Sequence, residues 1–269
     1  MNPHIPAVDA DVLDRLVESL VHAEGSRRPI EPLTATVPTL SMADAYAIQT
    51  RIAARRVDGG ERVVGRKVGL TSTAMQAQLG VAEPDFGVLF ESMVIPSGAR
   101  LAMDTLIAPR VEAEFAVRMG RDLSGPRVTL AQARDAVAEV MLALEIIDSR
   151  IVDWRIGLAD TIADNASSAR VVLGSPAAAI PELLLGLPHA QLVYAEDGEV
   201  VDGGPGSAVL GDPIEAVVWL ARRLSVFGVA LNVGDVVMTG GVHASRPIQA
   251  GTELSAWSDG FSAVSLLAV

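Results

Sequence analysis

The sequence predicts an α+β fold in which a helical N-terminal section precedes a larger body built of strands. Three observations carry this prediction: helical spacing of apolar residues over the first 60 positions, period-two alternation with turn signals after them, and no repeated alternation of strand and helix. We therefore divide the 269 residues into a helical section, residues 1–60, and a β-rich catalytic body, residues 61–269, which we expect to form one compact unit.

Two helices are predicted in the first section. Residues 9–23 show helical apolar spacing and are followed by Gly25, which is a helix-stop signal. Ser41 and Asp44 resemble a capping box, and the helix they open is predicted to stop at Gly59. The proline-containing segment between the two helices is predicted to be a connector.

The body begins with shorter elements. Residues 62–70 are predicted to be a strand interrupted by glycine, and residues 71–80 a short helix capped by Thr71 or Ser72. Residues 110–117 alternate with period two, which predicts a strand. A helix is predicted to start at Thr129 and to run into the apolar stretch that follows it.

The last third of the chain contains turn signals and one strong helix start. A hairpin is predicted around Asp197-Gly198, followed by a flexible turn at residues 202–206. Asp212 and Pro213 are a cap and a first-turn proline, which predict a helix that reaches Gly228. Two or three further strands are predicted after residue 233.

Composition excludes several classes of protein. The net charge of −12 leaves no basic footprint for nucleic acid, and the lack of cysteine excludes disulfides, thiolate metal sites and cysteine nucleophiles. The first residues lack the order of a secretory signal, and no uncharged apolar run approaches the roughly 20 residues that span a bilayer. We therefore expect a cytoplasmic protein without a membrane or nucleic-acid partner, in which any anionic ligand needs a local cation.

One basic residue differs from all the others. Of the 21 basic residues, Lys67 is the single lysine. Lysine and arginine are not interchangeable, because a buried lysine changes its pKa readily. Composition alone leaves two interpretations equally open: chance with codon bias, or a specific role for Lys67.

Three glutamates carry the clearest chemical pattern. Glu112 and Glu114 lie two residues apart on the predicted strand, so they share a face, although an isolated pair of this kind is more often a solvated acidic surface. Glu145 lies inside an apolar run, where a carboxylate needs a cation or strong donors. That partner is Arg150, Arg110 or a metal ion shared with the other two glutamates. Three carboxylates would favour Mg²⁺ or Mn²⁺ and disfavour zinc.

The neighbouring charged residues are expected to form a surface ion-pair cluster or a structural network, and we favour a structural role for Asp148, Arg150 and Asp153.

Seven motifs then occur in an order and spacing that resemble a known family. They are GRKVGLTS (65–72), EPDFG (83–87), PRVEAEFAV (109–117), LEIIDSRIVDWRI (144–156), DTIADNASS (160–168), AVLGDPIEAVVWLA (208–221) and GDVVMTGG (234–241). Together they resemble the 2-hydroxypenta-2,4-dienoate (2-keto-4-pentenoate) hydratases of the fumarylacetoacetate hydrolase superfamily, over residues 25–255. The resemblance implies a mixed β-roll with flanking helices, assembled into a homo-oligomer.

The resemblance also implies roles for six residues. Glu112, Glu114 and Glu145 fall on the metal-binding glutamates of the family, which take Mg²⁺ or Mn²⁺. The catalytic positions fall on Lys67, Asp85 and Ser167. The implied reaction adds water to 2-hydroxypenta-2,4-dienoate (2-oxopent-4-enoate), or a close analogue, and gives 4-hydroxy-2-oxopentanoate. The implied pathway degrades an aromatic ring, a steroid ring or another compound.

Other interpretations remain open. Decarboxylation of 2-oxohex-3-enedioate (4-oxalocrotonate) would use the same metal site. Residues 84–87, 153–156 and 216–221 favour the hydratase, whereas the double glycine of residues 239–248 resembles the decarboxylases. His243 and Arg246 fit neither pattern, and Arg246 is either a solvated loop residue or a site for a second carboxylate. Hydrolysis of a carbon–carbon bond is disfavoured, because His4 and His22 have no acidic partner motif. A subunit that only binds a pathway enzyme is disfavoured by the intact acidic set, although association with such an enzyme is compatible with it.

Overall fold

The computed structural model describes residues 7–72, 76 and 83–269. Most of the short helix predicted over residues 71–80 lies outside them. The described residues form helices at Ala10–Ser26 (α1), Leu33–Thr36 (α2), Met42–Asp58 (α3), Leu130–Ala136 (α4), Leu158–Ala163 (α5), Pro181–Gly186 (α6) and Pro213–Ser225 (α7). Within these ranges, no helix combines the length and the apolar character that crossing a membrane requires.

The described strands are short in the first hundred residues and long at the centre of the chain. They are Val63–Gly69 (β1), Asp85–Phe90 (β2), Val94–Pro96 (β3), Ala99–Leu101 (β4), Arg110–Met119 (β5), Val137–Ile147 (β6), Ser168–Leu173 (β7), Ala177–Ala178 (β8), Gln191–Glu196 (β9), Glu199–Pro205 (β10), Val236–Gly241 (β11), Arg246–Pro247 (β12), Glu253–Trp257 (β13) and Val264–Ala268 (β14). The predicted α+β class is confirmed.

Two sheets form the β-rich body. The larger has nine strands in the order β2-β1-β11-β5-β6-β7-β3, with β12 paired to β5 and β8 paired to β6. The smaller has five strands in the order β10-β9-β13-β14-β4. Phe115 of β5 contacts Phe261 edge-on at 5.7 Å, and Tyr194 of β9 belongs to the same apolar cluster. The core therefore lies between the apolar face of β5 and the smaller sheet.

Most of the predicted helix boundaries are confirmed. Ser41 and Asp44 form the capping box of α3, in which Ser41 Oγ accepts from the Asp44 N–H at 3.2 Å and Asp44 accepts from the Ser41 N–H at 2.9 Å. Asp212 caps α7 by accepting from the Ile214 N–H at 2.9 Å. The hairpin of β9 and β10 turns at residues 197–198, and four strands follow residue 233 where two or three were predicted.

The helix predicted from Thr129 is wrong over its second half. It ends at Ala136, and Val137 begins the longest strand of the large sheet. The residues Met, Leu, Ala and Glu in this stretch favour a helix locally, but β5 pairs with the whole strand on one side, and β8 and then β7 pair with parts of it on the other. Tertiary pairing overrides local propensity here.

The flexible turn predicted at residues 202–206 is also wrong, because β10 extends through Pro205. Its glycines allow close backbone approach. A Cβ on Gly203 would lie 2.5 Å from the Leu192 carbonyl oxygen, and one on Gly204 would lie 2.6 Å from the Val242 carbonyl oxygen.

Candidate metal centre and pocket

Three glutamates meet on one face of the large sheet. Glu112 and Glu114 share a face of β5, and Glu145 of β6 pairs directly with Glu112. One carboxylate oxygen of each lies within 4.8 Å of the other two, and the residues are 6%, 0% and 0% exposed. Antiparallel pairing therefore concentrates three acidic groups away from water.

Several oxygens of this cluster lack a hydrogen-bond donor among the described residues. Both oxygens of Glu145 and Oε1 of Glu114 are buried without one, whereas Oε2 of Glu114 accepts from the Gly240 N–H at 2.8 Å. A cation does approach: Nζ of Lys67 on β1 lies 3.4 Å from Oε2 of Glu145. One ammonium cannot balance three buried carboxylates, so the cluster has the chemistry of a site for a further cation.

The electrostatics of the cluster support the same conclusion. Burial raises the pKa of Glu112 and Glu114, and the neighbouring Glu145 raises it further. Burial alone would lower the pKa of Lys67, but the surrounding carboxylates, Glu145 foremost, outweigh it, so this pKa is raised. The local potential is therefore strongly negative. An all-oxygen donor set suits a hard divalent ion, and the three glutamates fit Mg²⁺ or Mn²⁺.

Asp85 lies beside Lys67 at the edge of this cluster. It begins β2 opposite Gly69 of β1, and Thr161 donates to its Oδ2 at 3.4 Å. Its Oδ1 is buried without a donor among the described residues. Burial raises the pKa of Asp85, although Lys67 opposes that effect. A Cβ on Gly69 would lie 2.2 Å from Oδ1 of Asp85 and 3.2 Å from Nζ of Lys67, so the glycine makes room for both side chains.

Ser167 reaches the pocket from a left-handed turn. Asn165, Ala166 and Ser167 have φ values of 55°, 51° and 54°, which residues with a side chain rarely adopt. The Asn165 side chain holds the turn against β2, because it accepts from the Val88 N–H at 2.7 Å and donates to the Val88 carbonyl at 2.9 Å. Within the described part of the chain, Oγ of Ser167 is buried without a partner. An unsatisfied hydroxyl is thus held at the pocket wall.

These groups line an open pocket of about 880 Å³. Its polar side includes Lys67, Asp85, Glu112 and Ser167, so the structure brings together the six residues named from the sequence, with Glu114 and Glu145 adjoining Glu112. Their roles stay predictions. The pocket is also lined by apolar side chains, which are those of Leu70, Ile147, Trp154, Ile156 and Ala166.

Sequence reasoning missed Arg110 as a pocket residue. It lies two residues before Glu112 on the same face of β5, its guanidinium stands 5.5 Å from the centre of the Trp154 ring, and it donates to the Ser245 carbonyl at 3.3 Å. The period-two pattern that joined Glu112 to Glu114 would have found it. Trp154 follows β6 in an irregular segment, where no periodicity could have placed it.

The proposed arginine partners of Glu145 are wrong. Lys67 approaches Glu145, whereas Arg150 pairs with Asp164 after the end of β6. Arg246 is likewise engaged elsewhere, because its Nε donates to Glu196 at 2.9 Å. It lies outside the pocket that Arg110 lines.

Comparison with known proteins shows the family of the chain. The model of the fumarylacetoacetate (FAA) hydrolase C-terminal family matches residues 62–265. The chain therefore belongs to the fumarylacetoacetate hydrolase family. The 2-keto-4-pentenoate hydratase of Burkholderia vietnamiensis is 44% identical over 95% of this chain and 97% of its own length. The 2-hydroxyhexa-2,4-dienoate hydratase of Comamonas testosteroni is 37% identical over 96% and 98%. Within the superfamily, the chain belongs to the 2-keto-4-pentenoate hydratase family, and the resemblance noted from the sequence is confirmed.

A solved structure extends the comparison to the fold. The 4-oxalocrotonate decarboxylase from Pseudomonas putida G7, complexed with magnesium and adipate, superposes with a TM-score of 0.94 at 33% identity. The match covers 98% of this chain and 100% of that one. The implied fumarylacetoacetate-hydrolase-like fold, with its helical N-terminal section, is confirmed.

Proposed function

We propose that this chain is a divalent-metal-dependent hydro-lyase that adds water to 2-hydroxypenta-2,4-dienoate, or a close analogue, to give 4-hydroxy-2-oxopentanoate. The observation that carries the proposal is the buried glutamate cluster with unpartnered oxygens, of which Glu112 lines an open pocket. The names of its relatives, which are hydratases of 2-keto-4-pentenoate and of 2-hydroxyhexa-2,4-dienoate, supply the substrate class.

The metal would be held by Glu112, Glu114 and Glu145, and we propose Mg²⁺ or Mn²⁺. The decarboxylase with the same fold is complexed with magnesium in one structure and with calcium in another, which supports a hard divalent ion. When bound, such an ion supplies Lewis-acid polarisation of a 2-oxo acid and a fixed orientation for it.

The chain's own residues must then move protons along the substrate. Overall, C5 gains a proton as the C2 hydroxyl loses one, water adds at C4, and C3 gains the last proton, so one water enters the product. We assign proton movement to Asp85, because burial raises its pKa and its Oδ1 has no donor among the described residues, which suits a group that exchanges protons with the substrate.

Lys67 and Ser167 would hold the reacting atoms. Lys67 carries a raised pKa among the carboxylates, so we assign it the ammonium form and the task of facing negative charge on the substrate. Ser167 offers a buried hydroxyl that can donate to a substrate oxygen. Arg110, on the same face as Glu112, would bind a carboxylate oxygen of the substrate.

One observation favours the second candidate, decarboxylation of 2-oxohex-3-enedioate. The solved decarboxylase shares nearly the whole fold, and Arg110 is a cation that could pair with a second carboxylate. Against it, Ile147, Trp154 and Ile156 give the pocket an apolar wall that suits an uncharged tail.

Three further expectations stay predictions: assembly into a homo-oligomer and association with a pathway enzyme, which rest on the resemblance, and a cytoplasmic location, which rests on the composition of the sequence. One assay tests the proposed reaction and its dependence on a divalent metal. Purified chain is mixed with freshly generated 2-hydroxypenta-2,4-dienoate in Mg²⁺, in Mn²⁺ and in chelator, and the loss of dienol absorbance is followed with product mass.

The expected result is metal-dependent gain of one water. Carbon dioxide release from 2-oxohex-3-enedioate, without turnover of the dienoate, would assign the chain to the decarboxylases. No metal-dependent change with either substrate would overturn the proposal and leave the glutamates with a structural role.

A further inference from the structure

His243 fills a break in the strand pairing beside the glutamate cluster. β11 pairs with β5 as far as Gly241 opposite Glu114, and β12 resumes the pairing at Arg246 opposite Val111. Between these points the Ala113 N–H donates to Nε2 of His243 at 3.1 Å. An imidazole nitrogen therefore replaces a backbone carbonyl opposite the residue that separates Glu112 from Glu114.

The hydrogen bonds fix the form of the ring. Because the Ala113 N–H is a donor, Nε2 is the unprotonated nitrogen, and Nδ1 carries the hydrogen and donates to the Ala244 carbonyl at 2.8 Å. Burial lowers the pKa of His243, which keeps the ring neutral. On its other side the ring packs against Tyr194 of the smaller sheet, with centroids 5.0 Å apart. The ring is thus held from both sheets.

The segment that His243 anchors touches two of the three glutamates. The Gly240 N–H donates to Glu114, and a Cβ on Gly241 would lie 2.8 Å from Oε2 of Glu112. Ala244, whose carbonyl the ring binds, lines the pocket. Displacement of the ring would therefore leave the Ala113 N–H of β5 without its acceptor and loosen the glycine segment that packs on the carboxylates of Glu112 and Glu114.

We propose that His243 is a positioning residue that fixes Glu112 and Glu114 at the separation that metal binding requires. This inference rests on the proposed function, because it assumes that the glutamates hold a divalent ion. His243 itself contributes no ligand: both of its nitrogens are engaged by backbone groups. Its contribution lies in holding the strand that carries the ligands.

Two variants that differ by one methylene group test the proposal. In His243→Gln the side-chain oxygen reaches the place of Nε2 and can accept from Ala113, whereas in His243→Asn it cannot reach that far. Mn²⁺ binding to the metal-free full chain is measured by titration calorimetry without substrate. We expect His243→Asn to weaken the affinity by at least about tenfold, which is the usual effect of losing a group behind a metal ligand, and His243→Gln to retain most of it.

Tyr194→Leu is the matched control, because it removes ring packing from His243 and leaves the bond to Ala113 available. It should lower the Tm without weakening Mn²⁺ binding. If His243→Asn does not fold, His243→Leu takes its place as the variant without an acceptor.

The outcomes separate the two proposals. Mn²⁺ affinity of His243→Asn equal to that of the wild type, or affinity of His243→Gln as low as that of His243→Asn, would overturn the role of His243 alone. A wild-type chain that binds no Mn²⁺ would overturn the metal site itself and the inference with it.

Discussion

Two clusters of buried charge lie close together along the chain, and they differ in one respect. Around Glu145, within β6, three carboxylates face a single ammonium and leave oxygens without donors among the described residues. Around Arg150, just after β6, the charges are matched. Arg150 donates to Asp164, to the Asp148 carbonyl at 2.6 Å and to the Ser168 carbonyl at 3.2 Å.

The carboxylates of the second cluster also have hydrogen-bond donors. Asp164 accepts from the backbone N–H of Arg150 at 3.0 Å and from Ser149 at 3.3 Å, and Asp148 accepts from the N–H groups of Ile107 and Ala108 at 2.8 and 2.7 Å. Both clusters are equally buried, so burial alone does not identify a functional site. Hydrogen-bond saturation distinguishes them: the saturated cluster holds the fold, and the unsaturated one is available to a ligand.

Glu145→Gln tests the unsaturated cluster and should have the largest effect. Removing one ligand charge should lower kcat/KM by about a thousandfold, because a bound metal contributes several kcal/mol to such reactions. In metal-free buffer the variant should be at least as stable as the wild type in urea, since a buried carboxylate without donors opposes folding.

Glu139→Gln is the control for that variant, because Glu139 also lies on β6 but forms a half-exposed pair with Arg118 at 2.9 Å. It should leave turnover and stability near the wild-type values. A metal-free Glu145→Gln chain clearly less stable than the wild type would assign Glu145 to the structural class and break the comparison.

Asp164→Asn tests the saturated cluster. Asp164 is the counter-ion of the buried Arg150 guanidinium and accepts hydrogen bonds from its Nε and its backbone N–H. Removing the charge should leave the Arg150 guanidinium buried without its counter-ion and lower the free energy of unfolding by about 3 kcal/mol. Mn²⁺ affinity, measured by calorimetry on the folded variant, should stay near the wild-type value.

Asp153→Asn provides the matched control for this change. Asp153 is exposed, contrary to its predicted place in a structural set with Asp148 and Arg150. The same substitution there should shift the free energy of unfolding by no more than about 0.5 kcal/mol. Loss of metal binding in Asp164→Asn without loss of stability would show that the two clusters are not separate.

The acidic half of the site was predictable because strand geometry is simple. Period two placed Glu112 and Glu114 on one face, and an apolar run marked Glu145 as a buried charge. The register that sets Glu112 opposite Glu145 depends on which strands pair, and that information is absent from either segment alone. The error from residue 137 onward has the same origin: local propensity favoured a helix, and the neighbouring strands decided otherwise.

The contacts that support the rest of the pocket were not predictable from local patterns. Asn165 acts through an amide that bonds both backbone groups of Val88, which is distant in sequence, and His243 acts through the backbone of Ala113. Such contacts use side chains as substitutes for strand partners, and they produce no periodic signal. Lys67 could be singled out without any knowledge of the fold, because it is the single lysine of the sequence.

Gly69→Ala tests whether Asp85 acts separately from the three glutamates of the unsaturated cluster. Of the three substitutions predicted to have an effect, it should have the smallest. The new Cβ would lie 2.2 Å from Oδ1 of Asp85, so that carboxyl must move by roughly 1 Å, and misplacement of this size costs about a hundredfold in kcat. The glutamates are not in its way, so Mn²⁺ affinity should remain.

Gly25→Ala in α1, where a Cβ meets nothing within 4 Å, should change neither quantity. Lower kcat with unchanged metal affinity would separate the group that moves protons from the groups that hold the ion. A parallel loss of both would mean that Asp85 and the glutamates act as one unit.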